Sequence, residues 1–276
     1  MPPVFGNLPT LKISIITPNW NGAAHLDACL RSIHAQRVPG VELEHIVLDG
    51  GSTDGSHAIL DRHRDGIDHL VIEADRGPAD AINKGLRVAS GDWVGWLNAD
   101  DLYAPGALAR AVSVAQRRPD AALLFGRCTI IDESDHEIRK GITRFKECFF
   151  PFSSRFTFQC INYISQPATL FRRSAVESAG PLREDLKAAF DYEFFLRLLR
   201  QGPAVRVPGS PLASFRWHPA SISGQHFARQ FREEYEAARA DAGRFSPQTL
   251  IHLGVRWGIV ASYTWMTRRA RADRTE

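Results

Sequence analysis

Several things are scarce or missing in this sequence of 276 residues. Its four cysteines (Cys29, Cys128, Cys148 and Cys160) form no CxxC pair, so neither a structural zinc site nor a disulfide framework is indicated. A reducing, cytoplasmic setting fits that pattern. No basic segment leads into an apolar one near the start, so no secretory signal is expected. Neither GxGxxG after the first strand nor GxxxxGK followed by Ser or Thr occurs, which leaves a dinucleotide fold and a P-loop unsupported. A long uninterrupted apolar run is lacking too. Thr249 to Met266 comes nearest, but His252 and Arg256 interrupt it and share one helical side with Tyr263, against a spanning helix. Charge of one sign is also scarce over most of the chain. Residues 221–276 hold nine Arg against six Asp or Glu, which leaves the first 220 residues with 25 charges of each sign. A nucleic-acid binder more often carries a basic stripe across its body, so no nucleic-acid partner is expected.

What is present is an alternation of strands and helices. Residues 12–17 read as a short apolar strand stopped by Pro18, and Leu26, Leu30 and Ile33 follow at helical spacing before Pro39. A second strand over 44–49 closes in the turn Gly50-Gly51-Ser52, and a helix begins around Thr53-Asp54. A third strand is expected at 69–73 and a fourth from Trp93 to Leu97. Between them Ala79 to Ala89 forms a helix with Ile82, Leu86 and Ala89 on one face. This order argues for βαβ units and a mostly parallel sheet. Hydrophobic residues, at 44%, are ample for its core.

Polar residues collect after the strands, at Thr17-Pro18-Asn19, Asp49-Gly50-Gly51, Asp75-Arg76-Gly77 and Asn98-Ala99-Asp100-Asp101. The carboxyl edge of an open α/β sheet is where ligands bind. The adjacent carboxylates Asp100 and Asp101 suit Mg²⁺ or Mn²⁺, which keep several waters and take further oxygens from a diphosphate. A plainer reading is a cap for the helix starting near Pro105. One polar strand end is readily a cap; four in a row converge on a crevice.

Five segments carry a family likeness. They are Thr-Pro-Asn-Trp-Asn-Gly (17–22), Leu-Asp-Gly-Gly-Ser-Thr-Asp-Gly-Ser (48–56), Ala-Ile-Asn-Lys-Gly (81–85), Gly-Asp-Trp-Val-Gly-Trp-Leu-Asn-Ala-Asp-Asp (91–101) and Phe-Asp-Tyr-Glu-Phe-Phe-Leu-Arg-Leu (190–198). In this order they resemble family 2 glycosyltransferases with the GT-A fold, over about residues 12 to 220. The resemblance implies a single, mostly parallel central sheet flanked by helices. It implies a GT-A domain over 1–220, with a nucleotide-binding half (12–101) and an acceptor half (102–220), then a basic helical extension over 221–276. The implied activity is metal-dependent, inverting hexosyl transfer from a nucleotide-diphospho-sugar, a UDP-sugar favoured, to a saccharide or lipid-linked saccharide hydroxyl. A catalytically inactive nucleotide-sugar- or carbohydrate-binding relative is the alternative.

Carried onto this chain, the likeness makes Asp101 the metal ligand and places Asp100 at the ribose or beside the metal. Asn98 stands for the first Asp of a DxD and would hydrogen-bond. Thr17, Pro18 and Asn19 would line the nucleobase pocket, and Asp49 would bind a base N–H or a ribose hydroxyl. Gly50 stands where many relatives have a second acid, which weakens the case for uracil. Asp80 would reach the sugar or phosphate; Lys84, one turn on, is also explained as a solvated i,i+4 partner. His218 would lie near the diphosphate or metal, since neutral imidazole can ligate Mn²⁺. Asp191, in the first turn of its helix, is expected to be the general base, with Glu193 the alternative.

Two segments stay open. The Phe-rich stretch 145–163 reads as an acceptor-binding loop or as satellite core. Residues 249–274, an apolar helix followed by Arg268, Arg269, Arg271 and Arg274, suit an in-plane helix on the inner face of an anionic membrane. Packing on the body or on a second subunit, as in a homodimer, is the rival.

Overall fold

The computed structural model describes residues 10–258. Its first half is the expected alternation: β1 (Leu11–Asn19), α1 (Ala23–His34), β2 (Val41–Asp49), α2 (Ser56–Arg62), β3 (His69–Ile72), α3 (Pro78–Val88) and β4 (Trp93–Trp96). The second half runs β5 (Leu102–Tyr103), α4 (Ala107–Arg117), β6 (Leu123–Phe125), β7 (Cys128–Ile131), β8 (Glu137–Ile138), α5 (Lys140–Glu147), α6 (Arg155–Cys160), β9 (Thr169–Arg172), α7 (Arg173–Ala179) and α8 (Phe190–Leu198). It closes with β10 (Ala204–Arg206), β11 (Ala213–Arg216), α9 (Ile222–Gln225) and α10 (Phe227–Ala242). Residues 247–258 are again helical.

The central sheet has seven strands in the order β10-β6-β9-β4-β1-β2-β3. β4, β1, β2 and β3 run parallel, and β9 lies antiparallel between β4 and β6. β1 and β2 keep register from Leu11 opposite Val41 to Asn19 opposite Asp49, so their polar tips finish side by side. The Leu97 N–H donates to Ile16 O at 2.9 Å, which brings the segment after β4 out beside the end of β1. A second sheet, unforeseen in the sequence, has four strands in the order β5-β11-β7-β8. Its centre, β11, carries the chain at 213–218 back to the tip of β4.

Burial follows the apolar spacing. α1 covers the sheet with Leu26, Leu30 and Ile33, joined by Cys29. α3 lies so close to β1 that a Cβ on Gly85 would sit 2.6 Å from Ile16 Cγ2, and this near approach explains glycine there. On one face of the sheet Trp96 meets Phe171 at 5.1 Å between ring centroids, and Phe194 and Phe195 at 6.2 Å each. The Phe-rich stretch divides. Phe150, Phe158 and Tyr163 are core, while Phe145, Phe152 and Phe156 are exposed.

At the C-terminal end, His252 is buried with its Nδ1 hydrogen-bonded to Gln159 O at 3.0 Å, and Arg256 lies over the Tyr235 ring. Up to residue 258 that helical side therefore packs on the body, one of the two rival readings. Leu250, Ile251 and Trp257 point outward. The rest of the stretch, including Tyr263 and Arg268 to Arg274, lies outside the described residues. Among the described residues no helix is long and apolar enough to cross a membrane.

Candidate active site

The four polar strand ends lie side by side at one edge of the sheet, but their side chains divide into groups that hold the edge together and groups that face outward. Thr17 belongs to the first kind. Its side chain is buried in β1 and its hydroxyl is hydrogen-bonded to His45 Nε2 at 3.0 Å, so it does not line a nucleobase pocket. Pro18 is half-buried beside it. Asn19 donates from Nδ2 to Asp49 Oδ2 at 2.6 Å and to Ser52 Oγ at 3.2 Å, while its buried Oδ1 has no partner. Asp49 is also turned inward. Its Oδ1 accepts the N–H groups of Gly51 (3.0 Å) and Ser52 (2.8 Å) and pairs with His57 Nε2 at 3.0 Å, and its Oδ2 accepts from Ser52 Oγ at 2.8 Å. Burial works against its ionisation, yet the hydrogen bonds from Ser52, Asn19 and His57 outweigh it and hold the carboxyl below the usual range. Asp49 thus shapes the 50–52 turn, with both oxygens engaged inside the protein, instead of presenting itself to a base.

What faces the crevice at this end is different. Trp20 is 70% exposed at the tip of β1. A Cβ on Gly50 would fall 2.5 Å from Asp75 Oδ2 and 3.4 Å from Trp20 Cδ1, so glycine lets these two side chains close over the turn. Asp75 Oδ1 accepts the Gly77 N–H at 2.8 Å. The carboxylate missing at position 50 is replaced in space from the end of β3. Asp80 is buried at the start of α3 and accepts the Arg76 N–H and Nη2, both at 3.0 Å. Lys84 Nζ lies 3.6 Å from Asp80 but is tied more closely to Glu73 (2.7 Å) and Ala74 O (3.1 Å).

The acid pair after β4 is sharply unequal. Asp101 is 0% exposed; Oδ1 accepts the Arg216 N–H at 2.8 Å and Oδ2 accepts from Asn98 Nδ2 at 3.2 Å. Burial and the neighbouring Asp100 charge push its carboxyl well above the usual range. That is a correction: Asp101 has no surface to offer a metal ion. Asp100 is half-buried, and its Oδ2 lies 3.1 Å from His218 Nε2. The hydrogen bond to Asp100 raises the His218 pKa against the effect of burial. His25, in the first helical turn after β1, stacks obliquely on His218 with ring centroids 6.0 Å apart.

Arg216 holds this corner. It is 1% exposed and donates from Nε to Asp100 O (2.8 Å), from Nη1 to Asp132 O (2.6 Å) and from Nη2 to Asp135 Oδ1 (2.5 Å). A buried guanidinium with its donors satisfied fixes the backbone of the acid pair from β11. Its position two residues before His218 is the only trace of this role in the sequence.

Asp191 stands apart from both groups, half-buried in the first turn of α8. The Tyr192 N–H donates to its Oδ1 at 2.8 Å. Burial, aided by the Glu234 charge and opposed by that hydrogen bond and by Lys146, pushes its pKa up to about 6. Glu193, the alternative base, is instead committed to Arg197, whose Nε and Nη2 both donate to it at 2.9 Å.

Comparison with known proteins decides the family. Residues 14–180 match the family described as Glycosyl transferase family 2. The chain belongs to glycosyl transferase family 2. A PGL/p-HBAD biosynthesis glycosyltransferase of Mycobacterium bovis (strain BCG / Pasteur 1173P2) is 32% identical over 188 residues, covering 67% of this chain and 68% of that one. An uncharacterized glycosyltransferase of Mycobacterium tuberculosis (strain CDC 1551 / Oshkosh) shows the same identity and coverage. Among solved structures, S. aureus TarS 1–349 in complex with UDP-GlcNAc superposes with a TM-score of 0.67 at 18% identity, over 84% of this chain and 66% of that one. This chain spans 39% of a longer TarS chain. The mannosyltransferase PcManGT from Pyrobaculum calidifontis, in complex with GDP-Man and Mn²⁺, gives 0.63 at 20% identity, over 94% of this chain and 80% of that one. These structural likenesses establish the GT-A fold.

In this glycosyltransferase the matched residues end at 180, so α8 with Asp191, β11 with Arg216, and His218 all lie beyond the family match. Trp20, Asp75, His25 and Arg216 were assigned no role from sequence. Trp20 lies inside the 17–22 segment and Arg216 two residues before His218, but their surroundings depend on strands that meet only in the folded chain.

Proposed function

We propose that this glycosyltransferase is a metal-dependent, inverting hexosyltransferase acting on a nucleotide-diphospho-sugar, a UDP-sugar favoured, with a saccharide or lipid-linked saccharide as acceptor. The observation that carries this reading is the Asp100–His218 pair beyond the end of β4, 3.1 Å apart. To that pair we assign the leaving group, and to the separate carboxylate Asp191 the acceptor proton.

The pair fits a divalent ion. Asp100 Oδ2 and His218 Nε2 are 3.1 Å apart, and adjacent ligands of an octahedron with bonds of about 2.1 Å stand about 3 Å apart. One oxygen and one imidazole nitrogen suit Mn²⁺, or Mg²⁺ less closely. Among the described residues no cluster of three or more protein ligands gathers, which leaves positions for water and diphosphate oxygens. A bound ion would offset the negative charge that develops on the departing diphosphate. Arg216 and Asp101 keep the Asp100 backbone in place. Trp20 and Asp75 flank the nucleobase, the indole offering a stacking face and the carboxylate an acceptor for a base N–H.

Asp191, ionised, takes the proton of the acceptor hydroxyl as its oxygen bonds to the anomeric carbon. The bond from that carbon to the diphosphate oxygen breaks on the opposite side, which inverts the centre. A pKa near 6 makes Asp191 a stronger base than an ordinary carboxylate, while it remains mostly ionised at neutral pH. The outward-facing Leu250, Ile251 and Trp257 are proposed to rest against the inner face of the membrane, where a lipid-linked acceptor would lie.

The test is a thermal-shift panel of UDP-, GDP- and dTDP-sugars with and without Mn²⁺. A true donor at roughly 100 times its dissociation constant adds about 2.7 kcal/mol of stability. Asp191→Asn is expected to keep that shift and to lower transfer by about 10²–10⁴-fold. Stabilisation by no nucleotide-sugar would favour the carbohydrate-binding alternative and end the present reading.

A further inference from the structure

The helix that presents Asp191 starts without a side-chain cap of its own, since Ala189 stands at its N-cap. Backbone N–H groups at a helix start need acceptors from elsewhere. The N-cap Ala189 and the two residues leading into it find one on α10. The buried Glu233 carboxylate accepts the N–H of Lys187 at 3.1 Å, of Ala188 at 2.9 Å and of Ala189 at 3.1 Å. Its other oxygen is 3.4 Å from Arg229 Nε, one turn earlier on α10.

The next residue is buried as well. Glu234 Oε1 accepts from Asn162 Nδ2 and from Gln230 Nε2, both at 3.0 Å. Consecutive buried acids on a helix are uncommon unless each is engaged. α10 is itself pinned near its end, where Asp241 Oδ2 accepts from Gln159 at 2.7 Å and Arg155 at 2.8 Å, and Oδ1 pairs with Arg200.

We propose that α10 is part of the catalytic apparatus, with Glu233 acting as a positioning residue that fixes the 187–189 turn and so aims Asp191 at the acceptor hydroxyl. This rests on Asp191 being the base. Nothing in residues 14–180, the part that matches the family, contains this arrangement.

The experiment measures nucleoside diphosphate release, with water as acceptor and Mn²⁺ present, from whichever of UDP-glucose, UDP-GlcNAc or GDP-mannose gives the largest thermal shift. Asp191→Asn, Glu233→Ala and Glu233→Gln are compared in the full chain. Glu233→Ala is expected to lower kcat by about ten-fold or more with the donor KM little changed, because a small misplacement of a reacting group is costly. Glu233→Gln keeps one oxygen acceptor and should fall between that variant and the parent. Parental kcat in both Glu233 variants, or an equal loss in donor KM, overturns the positioning role. Should Glu233→Ala fail to fold, Glu233→Gln decides. Asp191→Asn at the parental rate would defeat the base reading and this proposal together; an inactive Asp191→Asn beside unaffected Glu233 variants defeats this proposal alone.

Discussion

Asp100 and Asp101 are neighbours in the chain and opposites in environment. Both lie in the turn after β4, where the Asp100 carboxylate meets His218 and the Asp101 side chain points into the protein. Which is which was not legible in the sequence, because it depends on where β11 lies. Its Arg216 N–H captures Asp101 at 2.8 Å and its guanidinium holds the Asp100 carbonyl, also at 2.8 Å. The two substitutions should therefore behave differently. Asp100→Asn is expected to remove the Mn²⁺-dependent part of the thermal shift with a nucleotide-sugar. Asp101→Asn, which keeps a carbonyl oxygen for the Arg216 N–H, should retain that dependence and show its effect in stability, by about 1–3 kcal/mol. The reverse pattern in the same assay would return the metal to Asp101.

At the scale of elements, α8 was readable because its apolar residues recur over a long enough stretch. Phe190, Phe194 and Leu198 are each four apart, and all three are buried. The ring of Phe194 meets Trp96 at 6.2 Å and Phe171 at 5.8 Å, so α8 is locked onto the sheet by the aromatic cluster. Phe194→Ala is expected to cost about 3–5 kcal/mol in urea unfolding with an unchanged m value. A loss below 1 kcal/mol would mean that the site collapses around the gap, against a cluster this closely packed. The elements the sequence did not reveal are the short ones. β5 and β8 have two residues each and β10 has three, too few to display a period of two. Two of the four strands of the second sheet are such pieces, and with that sheet went the role of Arg216. Glu233 was hidden for a related reason, since its partners lie some 45 positions away.

The molecule as a whole was legible where its contacts are local. From β1 to β4 a helix returns the chain between each strand and the next, and the parallel order follows. After β4 the chain inserts β9 antiparallel between β4 and β6 and returns to the edge with β10, an order that no local pattern dictates. One consequence spans both the core and the site. His45, fully buried on β2, is hydrogen-bonded to Thr17 at 3.0 Å and to His34 Nε2 at 3.3 Å, and burial pushes its pKa down to about 3. Above about pH 6.5 the ring is neutral in both folded and unfolded chains and pH has no effect through it. Below that the unfolded chain takes up a proton that the folded one refuses, so stability falls by up to about 1.4 kcal/mol per pH unit until the folded pKa is reached. Asp191 works the other way, since its raised pKa lets the folded chain bind the proton first as pH falls through about 6. A single unfolding curve against pH would mix the two. His45→Gln isolates the first, because glutamine can still meet Thr17 and His34 while carrying no titrating ring. The stability of the parent minus that of His45→Gln, by urea unfolding, is expected to be level between pH 8 and 7 and to decline steadily from about 6.5 to 4.5. Asp191 contributes equally to both proteins and drops out of the difference. A difference that stays level down to pH 4.5 would mean that His45 is protonated as easily inside the fold as outside it, and that the contacts at β1 and β2 open to admit the charge.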